Sequence, residues 1–350
     1  MRLPNAAEPT ADRLSGLDTM RVLAVCAVIA IHFPPVDLVP LPWGLPPLGV
    51  LIAAGCRFAV PFFFISSGFF LGRRYRDGRL GLGYVARRAG LLYLLYAIWT
   101  VVYCLIPERW DLVLRSYPPW KVVGLSLGDV WSHARRDPLW AALKGPAPHL
   151  WFLSALSCET LFVWWLARYR RPRLLVAVGV VFYVVVLLLW PYRQLLGLAG
   201  PAPAERIRPL VAPLFVGIGF CLGSRVDWIP RRTTSCLLLL AGATLNLVEL
   251  AVLYGWDEST SDYAVFTPLY GLGAFLFAWT FHDFGASTHL PIVGRYVLGI
   301  YALHVLIGGF ARGLLAGIHL AGLHIVVTVL LCWGIAAVIC RSRRFGWMVR

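Results

Sequence analysis

The chain has 350 residues, 59% hydrophobic and only 14% charged, with a mean hydropathy of +0.72. That leaves too little polar surface to cover a soluble domain, and the recurrent long apolar stretches indicate an all-α polytopic membrane protein. The net charge of +15 would suggest nucleic acid in a soluble protein, but here the basic residues sit in short links between apolar segments. Membrane orientation accounts for the charge, so nucleic acid is not expected as a partner.

Residues 1–16 form a polar lead without a cleavable signal pattern. About ten transmembrane helices follow, predicted near 17–33, 48–71, 82–106, 149–167, 173–190, 209–224, 235–254, 265–281, 291–311 and 321–340. A crossing helix needs about 20 residues, which puts the first, fifth and sixth at the short limit. Arginines precede the first segment and cluster in "RRYRDGR" (73–79), "RYRRPR" (168–173), "RVDWIPRR" (225–232) and "RSRR" (341–344). These links alternate along the chain, while "PPVDLVPLPWGLPP" has no basic residue and "WDESTSDY" is acidic. Both termini are therefore expected in the cytoplasm. The stretch 107–148 reads as a long loop whose six basic residues weigh little because of its length. The layout is a cytoplasmic lead (1–16), one transmembrane domain (17–340) and a basic cytoplasmic tail (341–350) able to touch anionic lipid. All eight cysteines fall in apolar segments and read as packing residues, with no metal-binding spacing.

Four segments hold polar groups that lipid would not favour. In the first, Asp18 and Arg21 lie near one end and His32 near the other. Arg21 and His32 are eleven positions apart, which places them within about 20° of one helix face and about 16 Å apart along the axis. Such a face offers a fixed cation at one depth and an acid/base at the other; the plainer alternative is a snorkelling arginine and a helix-capping histidine. The second segment, "CRFAVPFFFISSGFFLGRR", buries Arg57, is expected to bend at Pro61, and carries Ser66, Ser67 and Gly68, which also suit helix packing. The fourth opens with His149 and Trp151 and contains Glu159, an inward-facing carboxylate that could pair with Arg57. In the ninth, Tyr301 and His304 share a face. Asn246 and Glu249 share one in the seventh, with no role evident.

"LDTMR" followed by ten residues and then His32, then "RFAVPFFFISSGFFL", "HLWFLSAL" and "GIYALH", occur in an order that resembles the acyltransferase-3 family of integral membrane acyltransferases. The similarity spans nearly the whole chain and corresponds to the short form, without an appended extracytoplasmic esterase-like domain. One departure is "RRAGLLYLLY", which lacks the proline often found after the basic pair.

The resemblance implies transfer of an acyl group, usually acetyl, from cytoplasmic acyl-CoA to a sugar hydroxyl of a bacterial surface or secreted polysaccharide or its lipid-linked precursor. The setting would be the bacterial inner membrane, with polysaccharide assembly machinery as a further partner. It matches Arg21 and His32 to the family's essential pair, Arg73, Arg74 and Arg76 to its donor-side motif, and Arg87 and Arg88 to its basic pair. Acyl transfer to an alcohol needs a base, for which histidine is suited. CoA phosphates suit clustered guanidiniums, and Arg57, Ser67, Trp151 and Tyr301 are candidate donors to an oxyanion. No metal and no permanently bound cofactor is expected. Two other readings stand beside it: a transporter or flippase of a lipid-linked glycan, and an assembly partner whose buried charges only lock helices together.

Overall fold

Each of the ten apolar segments is helical in the computed structural model, which describes residues 15–34, 41, 46–106, 117–169, 171–198, 203–225, 230–257, 261–315, 322–342 and 345–349. No strand occurs among the described residues. Residues 1–14 of the predicted lead (1–16) and part of the tail lie outside them, while Ser15 and Gly16 of that lead already belong to the first helix. The main helices are α1 (Ser15–His32), α2 (Leu48–Gly55), α3 (Ala59–Arg76), α4 (Leu82–Leu105), α5 (Pro119–Arg136), α6 (Pro138–Leu143) and α7 (Trp151–Arg168). They continue as α8 (Pro172–Leu189), α9 (Ala212–Gly223), α10 (Arg232–Asp257), α11 (Thr267–Thr280), α12 (Val297–Leu314) and α13 (Leu323–Arg341). By length and composition, 6 stretches of the described residues suffice to cross a membrane, and α8 and the 208–223 stretch are shorter apolar helices.

Two expectations are corrected. The second segment is not one helix bent at Pro61 but two, α2 and α3, separated by a turn at 56–58. Pro61 falls in the first turn of α3, where its missing N–H is not needed. At the break, Tyr270 Oη donates to Gly55 O at 2.7 Å, and Ala54 O, which accepts from Arg57 N at 3.2 Å, also takes Asn246 Nδ2 at 3.4 Å. Broken helices persist in membranes where neighbours satisfy their backbone in this way. The second correction concerns 107–148, which is not a structureless loop. It contains α5, whose exposed face carries Trp120, Leu127 and Trp131 and whose last turn holds His133, Arg135 and Arg136. That composition belongs to a helix lying in a lipid interface.

The closest crossing joins α3 to α9. Gly68 and Gly72 on α3 face Gly219 and Gly223 on α9, each pair one turn apart. A Cβ at Gly219 would lie 2.0 Å from Ile65 O, and one at Gly68 would lie 2.1 Å from Val216 O. Without a hydrophobic driving force between helices in lipid, such small-residue seams supply van der Waals contact by letting backbones meet. Gly68 is thus a packing residue, and Ser66 beside it is buried.

Helix α1 runs through the bundle with most of its surface covered by α3, α11, α12 and the short turns at 290–296. Its start is pinned where Gly16 N donates to His282 O at 2.8 Å, and its end where His324 Nε2 donates to Phe33 O at 2.9 Å. These anchors fix the depth of every polar group on α1.

Candidate active site

One end of the bundle is basic. Helix α3 stops in a Schellman turn: Arg79 N donates to Arg74 O at 2.8 Å and Gly78 N to Tyr75 O at 3.0 Å, with Gly78 at φ +68°. The Asp-Gly pair in "RRYRDGR" supplies the left-handed residue this turn requires. Arg73, Arg74 and Arg76 therefore share the last turn of α3, where cations also complement the helix dipole. Across the turn, the Arg74 guanidinium lies 4.0 Å over the Tyr84 ring, and Arg88 Nη1 donates to Tyr84 Oη at 3.5 Å. Arg87 is exposed beside it. Arg21 joins this end, 5.5 Å over the Phe70 ring and 2.8 Å from Asp18 Oδ1. Asp18 is buried while Arg21 keeps 30% of its side chain exposed, so Arg21 is held in place rather than only snorkelling.

At the other end of α1, three imidazoles meet. His32 is 5.3 Å from His304 and 6.4 Å from His149 between ring centroids, and His149 is 4.7 Å from His304. Tyr301 Oη donates to His149 O, and the Tyr301 ring lies 5.3 Å from the His149 ring. His304 Nδ1 is 2.6 Å from Tyr301 O. A carbonyl only accepts, so Nδ1 carries the proton and Nε2 of the neutral ring presents a lone pair. Among the described residues that Nε2 is buried without a partner, and neither ring nitrogen of His149 has a well-aligned one. Residues chosen separately in three segments thus form one cluster. Among the described residues no set of His, Cys, Asp or Glu is arranged to hold a metal ion.

The remaining candidates divide. Trp151 is buried against Phe64, with ring centroids 5.9 Å apart. Ser67 is partly buried on α3 and makes no side-chain hydrogen bond among the described residues. Glu159 is buried with Oε2 unpartnered and does not pair with Arg57. The carboxylate partner of Arg57 is Asp262, which also accepts from Arg208 Nη2 at 2.9 Å. A fixed loop makes this arrangement: Glu249 accepts from Val265 N at 2.7 Å, from Phe266 N at 2.9 Å and from Tyr192 Oη, while Asn246 Oδ1 accepts from Thr267 Oγ1 at 2.7 Å. Asn246 and Glu249 thereby acquire a role, holding both the loop of Asp262 and the helix break that carries Arg57.

Sequence reasoning missed Asp262, Arg208, Tyr103 and His324. Tyr103 lies 5.2 Å from the His149 ring and donates to Ala302 O at 2.8 Å, joining α4 to α12 beneath the cluster. Only the acidic character of "WDESTSDY" hinted at Asp262. The others look like ordinary interfacial residues until the helices are placed.

A family model described as an acyltransferase domain, Acyl_transf_3, matches residues 14–340. The chain belongs to this acyltransferase-3 family. No curated protein and no solved structure matches it. Membership makes the chain a membrane acyltransferase and gives the two polar ends a chemical context.

Burial would raise the Asp262 carboxyl, but the guanidiniums of Arg57 and Arg208 outweigh it and hold Asp262 below the ordinary carboxylate range, with His32 within electrostatic reach. A depressed carboxyl contributes stability above its unfolded pKa and loses it only as pH falls through the folded value. The ion triad is therefore expected to remain intact from pH 8 to pH 5, and melting curves of the acyltransferase across that range should show no step from Asp262. Asp262→Asn leaves two largely buried cations without a counter-charge. It should cost about 3–5 kcal/mol, read as a lowered thermal midpoint in detergent.

Proposed function

We propose that this acyltransferase moves an acyl group, acetyl in the first instance, from cytoplasmic acyl-CoA to a sugar hydroxyl of a bacterial surface or secreted polysaccharide or its lipid-linked precursor. The observation that carries the reading is that His32, on the same helix as Arg21, meets His149 and His304 at the end of the bundle opposite Arg21, Arg73, Arg74 and Arg76. With both termini in the cytoplasm of a bacterial inner-membrane protein, the basic end faces the donor and the histidine end faces the acceptor.

The chemistry follows from those positions. CoA phosphates are held by Arg73, Arg74, Arg76, Arg87 and Arg88, whose planar forks match phosphate oxygens. The thioester arm has about 16 Å of depth to cover before it reaches His32. His32 takes the proton of the sugar hydroxyl as its oxygen attacks the acyl carbon, the C–O bond forms and the C–S bond breaks. The proton then passes to the departing CoA thiolate. His304 and His149 orient the His32 ring, and Tyr301, whose hydroxyl donates to His149 O, fixes His149.

The test is transfer of radiolabelled acetyl from acetyl-CoA to a polymeric or lipid-linked glycan by protein reconstituted in nanodiscs. Label reaching the glycan only with functional protein supports the reading. Glycan movement across the bilayer without any CoA requirement would overturn it in favour of a flippase. Within the same assay, Arg87→Ala removes one exposed donor-side cation and should raise KM for acetyl-CoA about tenfold. Its kcat should stay near wild type.

A further inference from the structure

Arg57 and Arg208 share one carboxylate, so the triad with Asp262 keeps a net charge of +1 from two guanidiniums and one carboxylate. The Arg57 side chain is only 9% exposed and that of Arg208 17%. The Nε of each is buried and has no acceptor among the described residues. Buried N–H groups of a cation are rarely left unpaired in a finished structure. The carboxylate of Glu249 is engaged elsewhere, by Val265 N, Phe266 N and Tyr192 Oη. Arg208 is further fixed by lying 5.4 Å from the Trp190 ring centroid, where the ring face steadies the guanidinium.

Arg57 also lines a cleft between α2 and the end of α10. Its walls are Val50, Ala53, Ala54 and Leu250, with Tyr254 and Ser261 at the polar side. A cationic head site thus opens onto an apolar slot. Two rigid guanidinium forks beside one carboxylate suit a group with several oxygens at tetrahedral angles, which can serve both Nε donors at once. A planar carboxylate has only two oxygens, and both guanidiniums already hold one.

The geometry points to a second anion site, in which Arg57 and Arg208 take the phosphate of an amphiphile whose apolar part lies along Val50, Ala53 and Leu250. Resting on the acyl-transfer reading, this amphiphile is the lipid-borne form of the acceptor, held at the same end of the bundle as His32. The donor arginines and the acceptor arginines would then be separate sets at opposite ends of α1 and α3.

The test measures binding of dodecyl phosphate, dodecanol and inorganic phosphate to the full chain in phosphatidylcholine nanodiscs, where bulk phosphodiester is already in excess. Wild type should bind dodecyl phosphate at least tenfold more tightly than either of the others. Arg208→Gln should lose about tenfold of that affinity, with dodecanol unaffected. If Arg208→Gln is not monodisperse, Arg208→Lys keeps the charge, loses the fork and should still weaken dodecyl phosphate several-fold. Equal binding of dodecyl phosphate and dodecanol, or no change in the Arg208 variants, would overturn the site. Inorganic phosphate binding as well as dodecyl phosphate would overturn the role of the apolar cleft. Acetyl-CoA binding to wild type is measured in parallel. Its absence would count against the acyl-transfer reading alone, while the phosphate site stands or falls on its own signal.

Discussion

His32→Ala is expected to reduce acetyl transfer by about 10²- to 10⁴-fold, the usual worth of a positioned general base. The loss should appear in kcat, with KM for acetyl-CoA near wild type, because the arginines proposed to hold the donor lie at the opposite end of α1. The protein should still fold. His32 is in the last turn of α1, and the anchors of that end are the Phe33 N to Ile29 O bond and the His324 contact to Phe33 O, neither of which uses the His32 ring. Steady-state kinetics on monodisperse protein in nanodiscs decides the matter. A variant retaining a third or more of wild-type kcat would remove His32 from the chemistry and leave it as a packing residue of the histidine cluster. His304→Ala should fall between the two, since that ring orients His32 and does not itself take the hydroxyl proton in this scheme.

Gly219→Ala should unfold the bundle although it adds a single carbon. A Cβ at that position lies 2.0 Å from Ile65 O, 2.8 Å from Ile65 C and 2.9 Å from Phe69 N, all backbone atoms that no side-chain rotation can move aside. Relief requires α3 and α9 to part, which also separates Gly68 from Val216 and Gly223 from Phe69. The expected loss exceeds about 4 kcal/mol, beyond ordinary core substitutions. It would be read as a collapse of monodisperse yield and of the thermal midpoint. Gly90→Ala is the control. Nothing lies within 4 Å of a Cβ there, so the better helix former should be neutral or stabilise by up to about 1 kcal/mol. Equal behaviour of the two variants would show that the α3–α9 seam does not set the stability of the bundle.

Much of this protein can be read from the order of its residues. Apolar length, basic links and the acidic "WDESTSDY" loop define a helical membrane protein, because lipid admits no unpaired backbone and loops carry the charge. The Asp-Gly in "RRYRDGR" announces the turn that gathers Arg73, Arg74 and Arg76. Local signals of this kind depend on one helix or one turn. The spacing of Arg21 and His32 on one helix belongs to the same class.

What joins separate helices was not legible. The partner the sequence allowed for Arg57, Glu159, and the actual one, Asp262, are both carboxylates remote in sequence; only the packing of α2, α10 and the 261–266 loop distinguishes them. The break between α2 and α3 looked like a bend because Pro61 is visible in sequence, whereas the donors from Tyr270 and Asn246 to the carbonyls at the break are not. His149 and His304 read as isolated polar residues until the α4–α7–α12 contacts bring them within 4.7 Å of each other. By itself the sequence determined the class of fold, the helices and the polar residues that lipid would exclude, since these follow from local hydropathy and backbone geometry. Only the tertiary structure decided which of those polar residues meet, because in lipid the pairing of helices is set by close packing of small residues and by polar contacts between distant segments.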